Sequence, residues 1–273
     1  MMFLRSVLPA IVALMSFATS TFAADENSIF VQSTTSTKNS GLYDHLLPVF
    51  KKATGTTVHV VAVGTGQAIR NARNCDGDVL LVHAKPAEEK FVADGYGVQR
   101  FDLMYNDFVI VGPADDPAGI TGLSNVNSAL QAIFKAKALF ASRGDDSGTH
   151  KKELALWKSA EVDPEPYSGK WYRETGSGMG ATLNVGLGMG AYVLTDRATW
   201  ISFKNKGDFK IHVQGDGALF NQYGVILVNK QKCPSTKATL GQKFIDWLRS
   251  SDGQATIAAH KIAGQQLFFP NAK

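Results

Sequence analysis

Six short runs along the chain are apolar almost without alternation: SIFVQ at 28–32, TVHVVAV at 57–63, DVLLVHA at 78–84, DFVIVGP at 107–113, ALFAS at 138–142 and GVILVN at 224–229. A strand with one wet face alternates polar and apolar residues, so a run without alternation reads as a strand covered on both faces. Helices supply such cover, and helical spacing lies between the runs. Leu42, Leu46, Val49 and Phe50 share one face, as do Leu240, Phe244, Trp247 and Leu248. Strand and helix in alternation predict an α/β architecture with mostly parallel sheets flanked by helices. Pro48 falls inside the first helical pattern and is expected to bend it or remove one backbone bond, while Gly55 supplies its stop.

Two stretches read as crossings between sheets: MYNDFVIVGPADDPAG at 104–119 leaves a strand through a turn-rich segment, and GDGALFNQYGVILVN at 215–229 re-enters one. A chain that leaves one sheet, builds a second and returns gives two lobes joined by two crossover strands. The expected division is residues 24–108 plus 220–273 for the first lobe and 109–219 for the second. The opening MMFLRSVLPAIVALMSFATSTFA, with basic Arg5, an apolar run and small residues at its end, reads as a secretory signal peptide over 1–23. A net charge of +4 scattered along the chain offers no patch for nucleic acid and suits a small anionic ligand.

Three strand-to-helix junctions share a composition: STTSTKNSG at 33–41, SRGDDSGTH at 142–150 and ETGSGMGATLN at 174–184. A helix start exposes unpaired backbone N–H groups and partial positive charge, and glycine lets a ligand approach the backbone, so such junctions seat anions. Helix capping alone accounts for one hydroxyl at each. Residues 33–37 carry five in succession, a surplus that asks for acceptor oxygens. Arg143 adds a planar donor fork, with Asp145 or Asp146 as its expected ion-pair partner. The turn GTGQAIRNARN at 64–74 lacks the third glycine and the acidic residue of a dinucleotide fingerprint and reads as packing.

Catalytic arrangements fare worse. Ser147, His150 and Asp145 are too close along one helix start to relay a proton, and no GxSxG elbow occurs. The six histidines show no metal-ligand spacing, so no metal site, cofactor or enzymatic role is expected. Cys75 and Cys233 leave two states open, a disulfide or a pair of buried thiols; export permits the first.

Taken in order, the hydroxyl run followed by SGLYDHLLPVFKKATG, then GTGQAIRNARNCDGDVLLVHAKPAEEKFVADGYG, YNDFVIVGP, SRGDDSGTH, ETGSGMGATL and GQQLFFPNA resemble the tungstate-binding periplasmic proteins of tungsten ABC transporters, over essentially all of residues 24–273. The resemblance implies the two-lobed periplasmic-binding-protein fold of type II. It implies an interlobe cleft that holds tungstate, or molybdate, and a permease with its ATPase as partners. It implies a periplasmic location and action as a monomer. The family's TTTS run falls on Ser33, Thr34, Thr35 and Ser36, its first threonine replaced by serine, which keeps the hydroxyl. The family's anion-binding arginine maps onto Arg143, its Ser/Thr donors onto Ser147 and Thr149, and backbone donors onto Ser177, Gly178 and Met179. The expected anion contacts in the first run are Thr34, Thr35 and Ser36, with Thr37 and Ser40 capping the helix. A fully deprotonated dianion suits a wall made only of donors, whereas hydrogen phosphate would need a nearby acceptor, which Asp145 or Asp146 would supply if it faced the cleft.

Overall fold

The computed structural model describes residues 26–273, so the expected signal segment lies outside the described residues. The first lobe begins with strand β1 (Ser28–Thr34), the one-turn helix α1 (Thr35–Asn39), α2 (Leu42–Thr54), β2 (Thr57–Val63), α3 (Thr65–Arg73), β3 (Val79–Val82) and α4 (Lys85–Ala93). The long strand β4 (Gly97–Gly112) then carries the chain across. The second lobe contains α5 (Val126–Ala136), β5 (Phe140–Ser142), α6 (Gly148–Ser159), β6 (Tyr172–Glu174), α7 (Met179–Met189), β7 (Val193–Asp196), α8 (Arg197–Ser202) and β8 (Lys210–Val213). Strand β9 (Phe220–Val228) returns, followed by α9 (Ala238–Arg249), α10 (Ser251–Ala259) and the short strands β10 (Lys261–Ile262), β11 (Gln265–Gln266) and β12 (Phe269–Pro270).

The first sheet runs β12-β4-β9-β3-β1-β2. Strand β1 lies parallel to β2 and β3. The mostly parallel expectation ends at the crossover strands, because β9 pairs antiparallel with β3 and with β4. Up to Asp107, β4 pairs with β9; from Phe108 it pairs antiparallel with β7 and β8 of the second lobe, so one unbroken strand belongs to both. The run DFVIVGP is the second half of that strand. Phe108 and Ile110 face one core with Phe140, Trp157 and Tyr192, while Val109 and Val111 face another with Leu183 and Trp200. That two-sided burial is why the run does not alternate. Strand β2 departs from the expectation: it closes the sheet edge and is half-exposed along most of its length.

In the first lobe, α2, α9 and α10 cover one sheet face, with Phe50 and Phe244 in edge-to-face contact at 4.9 Å, and α3 and α4 cover the other. Helix α2 runs on through Pro48; Pro48 and Asp44, whose carbonyl loses its helical donor, are both exposed, so water satisfies it. The helix stops at Gly55 in a left-handed conformation (φ +73°), as expected. Cys75 and Cys233 form a disulfide with Cα atoms 5.2 Å apart, fastening the end of α3 to the loop after β9.

Candidate functional site

Four helix starts meet along the seam between the lobes. Those of α1 and α3 come from the first lobe, those of α6 and α7 from the second. The Gly148 N–H at the start of α6 donates to Thr65 Oγ1 on α3 at 2.9 Å. A Cβ added at Gly64 would lie 3.6 Å from the Asp145 carbonyl, and one added at Gly178, the residue before α7, would lie 3.8 Å from Thr35 Oγ1. The lobes are therefore in contact where the three hydroxyl-rich junctions converge. The GTG turn, read from sequence as packing with lining of the cleft as its alternative, is part of this seam through Thr65.

The hydroxyl run divides its labour differently from the expectation. Ser33 Oγ donates to Leu81 O at 2.8 Å and bonds Tyr43 Oη at 2.5 Å inside the first lobe. Thr34, rather than Thr37, caps α1, accepting the Thr37 N–H at 3.3 Å; its Oγ1 also lies 2.7 Å from Thr37 Oγ1 and 3.1 Å from Ser36 Oγ. Ser40, expected to cap the helix entrance, closes the far end of α1 instead, its hydroxyl donating to Thr37 O at 2.7 Å. Ser36 Oγ lies 3.1 Å from His83 Nε2. Of the five hydroxyls only Thr35 Oγ1 is buried without a hydrogen-bond partner among the described residues. On the second lobe Thr149 Oγ1, in the first turn of α6, is buried and unpartnered in the same way. A buried hydroxyl without a partner is costly, and one in the first turn of α1 and another in that of α6 call for acceptor atoms.

Arg143 is 2 % exposed. One Nη donates to Asp145 Oδ2 at 2.5 Å and Nε to Ser177 O at 3.3 Å, leaving the other Nη outside both bonds. Asp145 is the expected partner, and its second oxygen accepts the Ser147 N–H at 3.2 Å. Asp146, half-exposed, reaches across the seam to Arg70 on α3 and also pairs with Lys151. Asp196, buried at the start of α8, accepts both the N–H and the hydroxyl of Thr199, and burial raises its pKa. Asp145 and Asp146 thus stand at the seam, each paired with a cation, and Asp196 is held by Thr199. Ser147 caps α6 by accepting the His150 N–H at 3.2 Å, while the His150 ring accepts from Asp146 N; the ring is not placed to take a proton from Ser147.

At the third junction the expected Ser177 donor is spent, since its N–H bonds Arg143 O at 3.2 Å. Gly178 precedes α7 and Met179 begins it, buried, so the first-turn N–H groups from Met179 onward remain as donors. No cluster of His, Cys, Asp and Glu able to hold a metal occurs among the described residues. What the seam can do chemically is donate: two free hydroxyls, a guanidinium and two helix starts of positive polarity.

A chain of two α/β lobes joined by paired crossover strands, with donors gathered between them, is of the periplasmic-binding-protein class. The description of a PBP superfamily domain matches residues 19–252. The tungstate-binding protein TupA of Peptoclostridium acidaminophilum is 47 % identical over 251 residues, covering 90 % of this chain and 87 % of that one. Among solved structures, the tungstate-binding protein TupA from Desulfovibrio alaskensis G20 is 48 % identical with a TM-score of 0.77, covering 90 % of this chain and 99 % of that one. The tungstate ABC transporter structure from Geobacter sulfurreducens is 49 % identical with a TM-score of 0.79, covering 86 % and 99 %. Within the PBP superfamily, the chain belongs to the TupA family.

Proposed function

We propose that the protein is the extracytoplasmic binding component of an ABC transporter, capturing tungstate between its lobes and handing it to a permease with its ATPase. The carrying observation is the pair of buried, unpartnered hydroxyls, Thr35 Oγ1 on one lobe and Thr149 Oγ1 on the other. Around them stand the Arg143 guanidinium, the Ser147 hydroxyl and the starts of α6 and α7 at Gly148 and Met179. In this reading the lobes are residues 24–108 with 220–273, and 109–219. The anion bridges them, so binding favours the closed arrangement. Thr34 and Ser36 shape the α1 turn rather than supplying its main contact, and Gly178 lets the anion approach α7.

In this reading the ligand is a fully deprotonated dianion, because donors predominate in the seam and the carboxylate beside them, Asp145, is neutralised by Arg143. Asp145 accepts one bond on each oxygen, from Arg143 and from the Ser147 N–H, so its charge is neutralised by the guanidinium while lone pairs remain; phosphate is therefore the competitor that the titration has to separate. The family relatives favour tungstate over molybdate and sulfate. The protein works in the periplasm as a monomer, exported by its first 23 residues, and performs no chemistry on its ligand. Calorimetric titration with tungstate, molybdate, sulfate and phosphate tests this. Tungstate is expected to bind at one site per chain and phosphate to give no heat; tight phosphate binding without tungstate binding would refute it.

A further inference from the structure

The end of β3 delivers His83 to the place where the hydroxyl run, both crossover strands and the second lobe meet. His83 is 6 % exposed and stacks on Tyr223 of β9 at 4.7 Å. A Cβ added at Gly148 on α6 would lie 3.1 Å from its Cε1. Both ring nitrogens are engaged: Nδ1 lies 3.1 Å from Asn221 Oδ1 on β9, and Nε2 lies 3.1 Å from Ser36 Oγ on α1. Asn221 in turn donates through Nδ2 to Asn106 Oδ1 at 2.7 Å, and the two asparagines face each other in the β4–β9 register. A continuous hydrogen-bonded path therefore joins the hydroxyl run to the paired crossover strands.

The direction of its protons follows from the donor inventory. As placed, Asn221 turns its amide nitrogen to Asn106 Oδ1 and its carbonyl oxygen to the imidazole, with Asn106 Nδ2 left unpartnered among the described residues; in this orientation the carbonyl accepts and Nδ1 carries the proton. Burial, with a further push from the Arg143 charge and against the Asn221 bond, lowers the His83 pKa to about 4, so the ring is neutral at neutral pH. A neutral ring protonated at Nδ1 has only a lone pair at Nε2, and Ser36 must donate to it. Thr34 then gives its proton along the turn, to Ser36 or Thr37, and Thr35 is left as the hydroxyl free to meet a ligand.

We propose that His83 is a positioning residue for the anion: acting through Ser36, it fixes the proton direction of the 34–37 turn and ties that turn to the crossover strands at Asn106 and Asn221. The proposal rests on the reading of the seam as an oxyanion seat. His83 does not touch the anion. It fixes the proton direction of the turn that presents Thr35 and holds that turn in register with the crossover strands.

Two substitutions divide the two arms. In His83→Asn the side-chain amide reaches the Nδ1 position and retains the Asn221 bond; in His83→Gln it reaches the Nε2 position and retains an acceptor for Ser36. Tungstate affinity is measured by calorimetry for both, alone and combined with Ser36→Ala. With Ser36 present, His83→Asn is expected to weaken binding about tenfold and His83→Gln to recover most of that loss, the scale of one net hydrogen bond. With Ser36→Ala the two variants should bind alike. Equal losses in the presence of Ser36, or a His83→Asn deficit that persists without it, overturn the proposal and leave the seat standing. Absence of tungstate binding by the wild-type protein overturns the seat and the proposal together. Nitrogen-15 NMR of the wild-type protein supplies a readout that needs no substitution: His83 is expected neutral with its proton on Nδ1, and a proton on Nε2 overturns the proposal.

Discussion

Arg143→Ala removes a buried cation at the seam, and its effect can be bounded. A charge-assisted hydrogen bond contributes about 1.5–3 kcal/mol, and about 1.4 kcal/mol is one decade of affinity, so loss of one bond to the dianion weakens binding about 10- to 150-fold. The geometry places the result at or beyond the upper end. Asp145 receives the guanidinium at 2.5 Å, and Arg143→Ala leaves its carboxylate beside the seat held by a single backbone N–H, from Ser147. An unneutralised carboxylate repels a dianion, and the low-dielectric seam screens it poorly. Adding Asp145→Asn to Arg143→Ala should therefore restore part of the lost affinity, while Asp145→Asn alone should not improve binding. Calorimetric titration with tungstate of the wild-type protein, both single variants and the double variant reads all four values. Unchanged affinity in Arg143→Ala would refute the role of the cation. Strictly additive losses in the double variant would refute the account of Asp145 as its neutralising partner.

Thr35→Ala and Thr149→Ala each remove a buried hydroxyl that has no partner, so the free protein should melt no lower while tungstate affinity falls about tenfold, a combination that calorimetry and thermal melts resolve. Glu153 is fully buried against the Tyr172 hydroxyl and the Trp157 indole, and burial raises its pKa to about 7. A carboxyl raised in the folded state contributes stability below its unfolded pKa that is lost as pH rises through 7. Glu153→Gln should therefore be more stable than the wild type at pH 8.5, by up to about 3 kcal/mol, with the difference shrinking towards pH 5 in denaturant titrations. Replacing both Cys75 and Cys233 by serine opens a closure spanning 158 residues and should cost about 2–4 kcal/mol of stability, read by denaturant unfolding, with tungstate affinity unchanged because the bridge lies within the first lobe.

The fold was legible where burial leaves a one-dimensional trace. The runs around Val79–Val82 and Phe108–Val111 are apolar on both faces, and sequence records that directly. Strand β2 misleads because its apolar residues line a sheet edge, and edge position is a property of the whole sheet. The parallel expectation stops at β9 because the direction of a returning strand depends on which neighbour it finds. At the proposed site, the hydroxyl run and Arg143 stood out by residue type at helix starts, whereas Thr149 came only from the family resemblance. The division of labour within residues 33–37 was not, since five adjacent hydroxyls look alike until their partners are known: Tyr43 for Ser33, Thr37 for Thr34 and His83 for Ser36. His83 and Asn221 stand 138 residues apart, and only the sheet brings them together.

A single dianion is expected between the lobes, within hydrogen-bonding reach of Thr35, Thr149 and Arg143. Diffraction from crystals grown with tungstate, recorded at the tungsten absorption edge, tests it directly, because the anomalous signal locates the metal atom independently of the protein density. The account predicts one strong peak per chain at the meeting of α1, α6 and α7. A peak elsewhere, or crystals of tungstate-saturated protein with none in that seam, would contradict it.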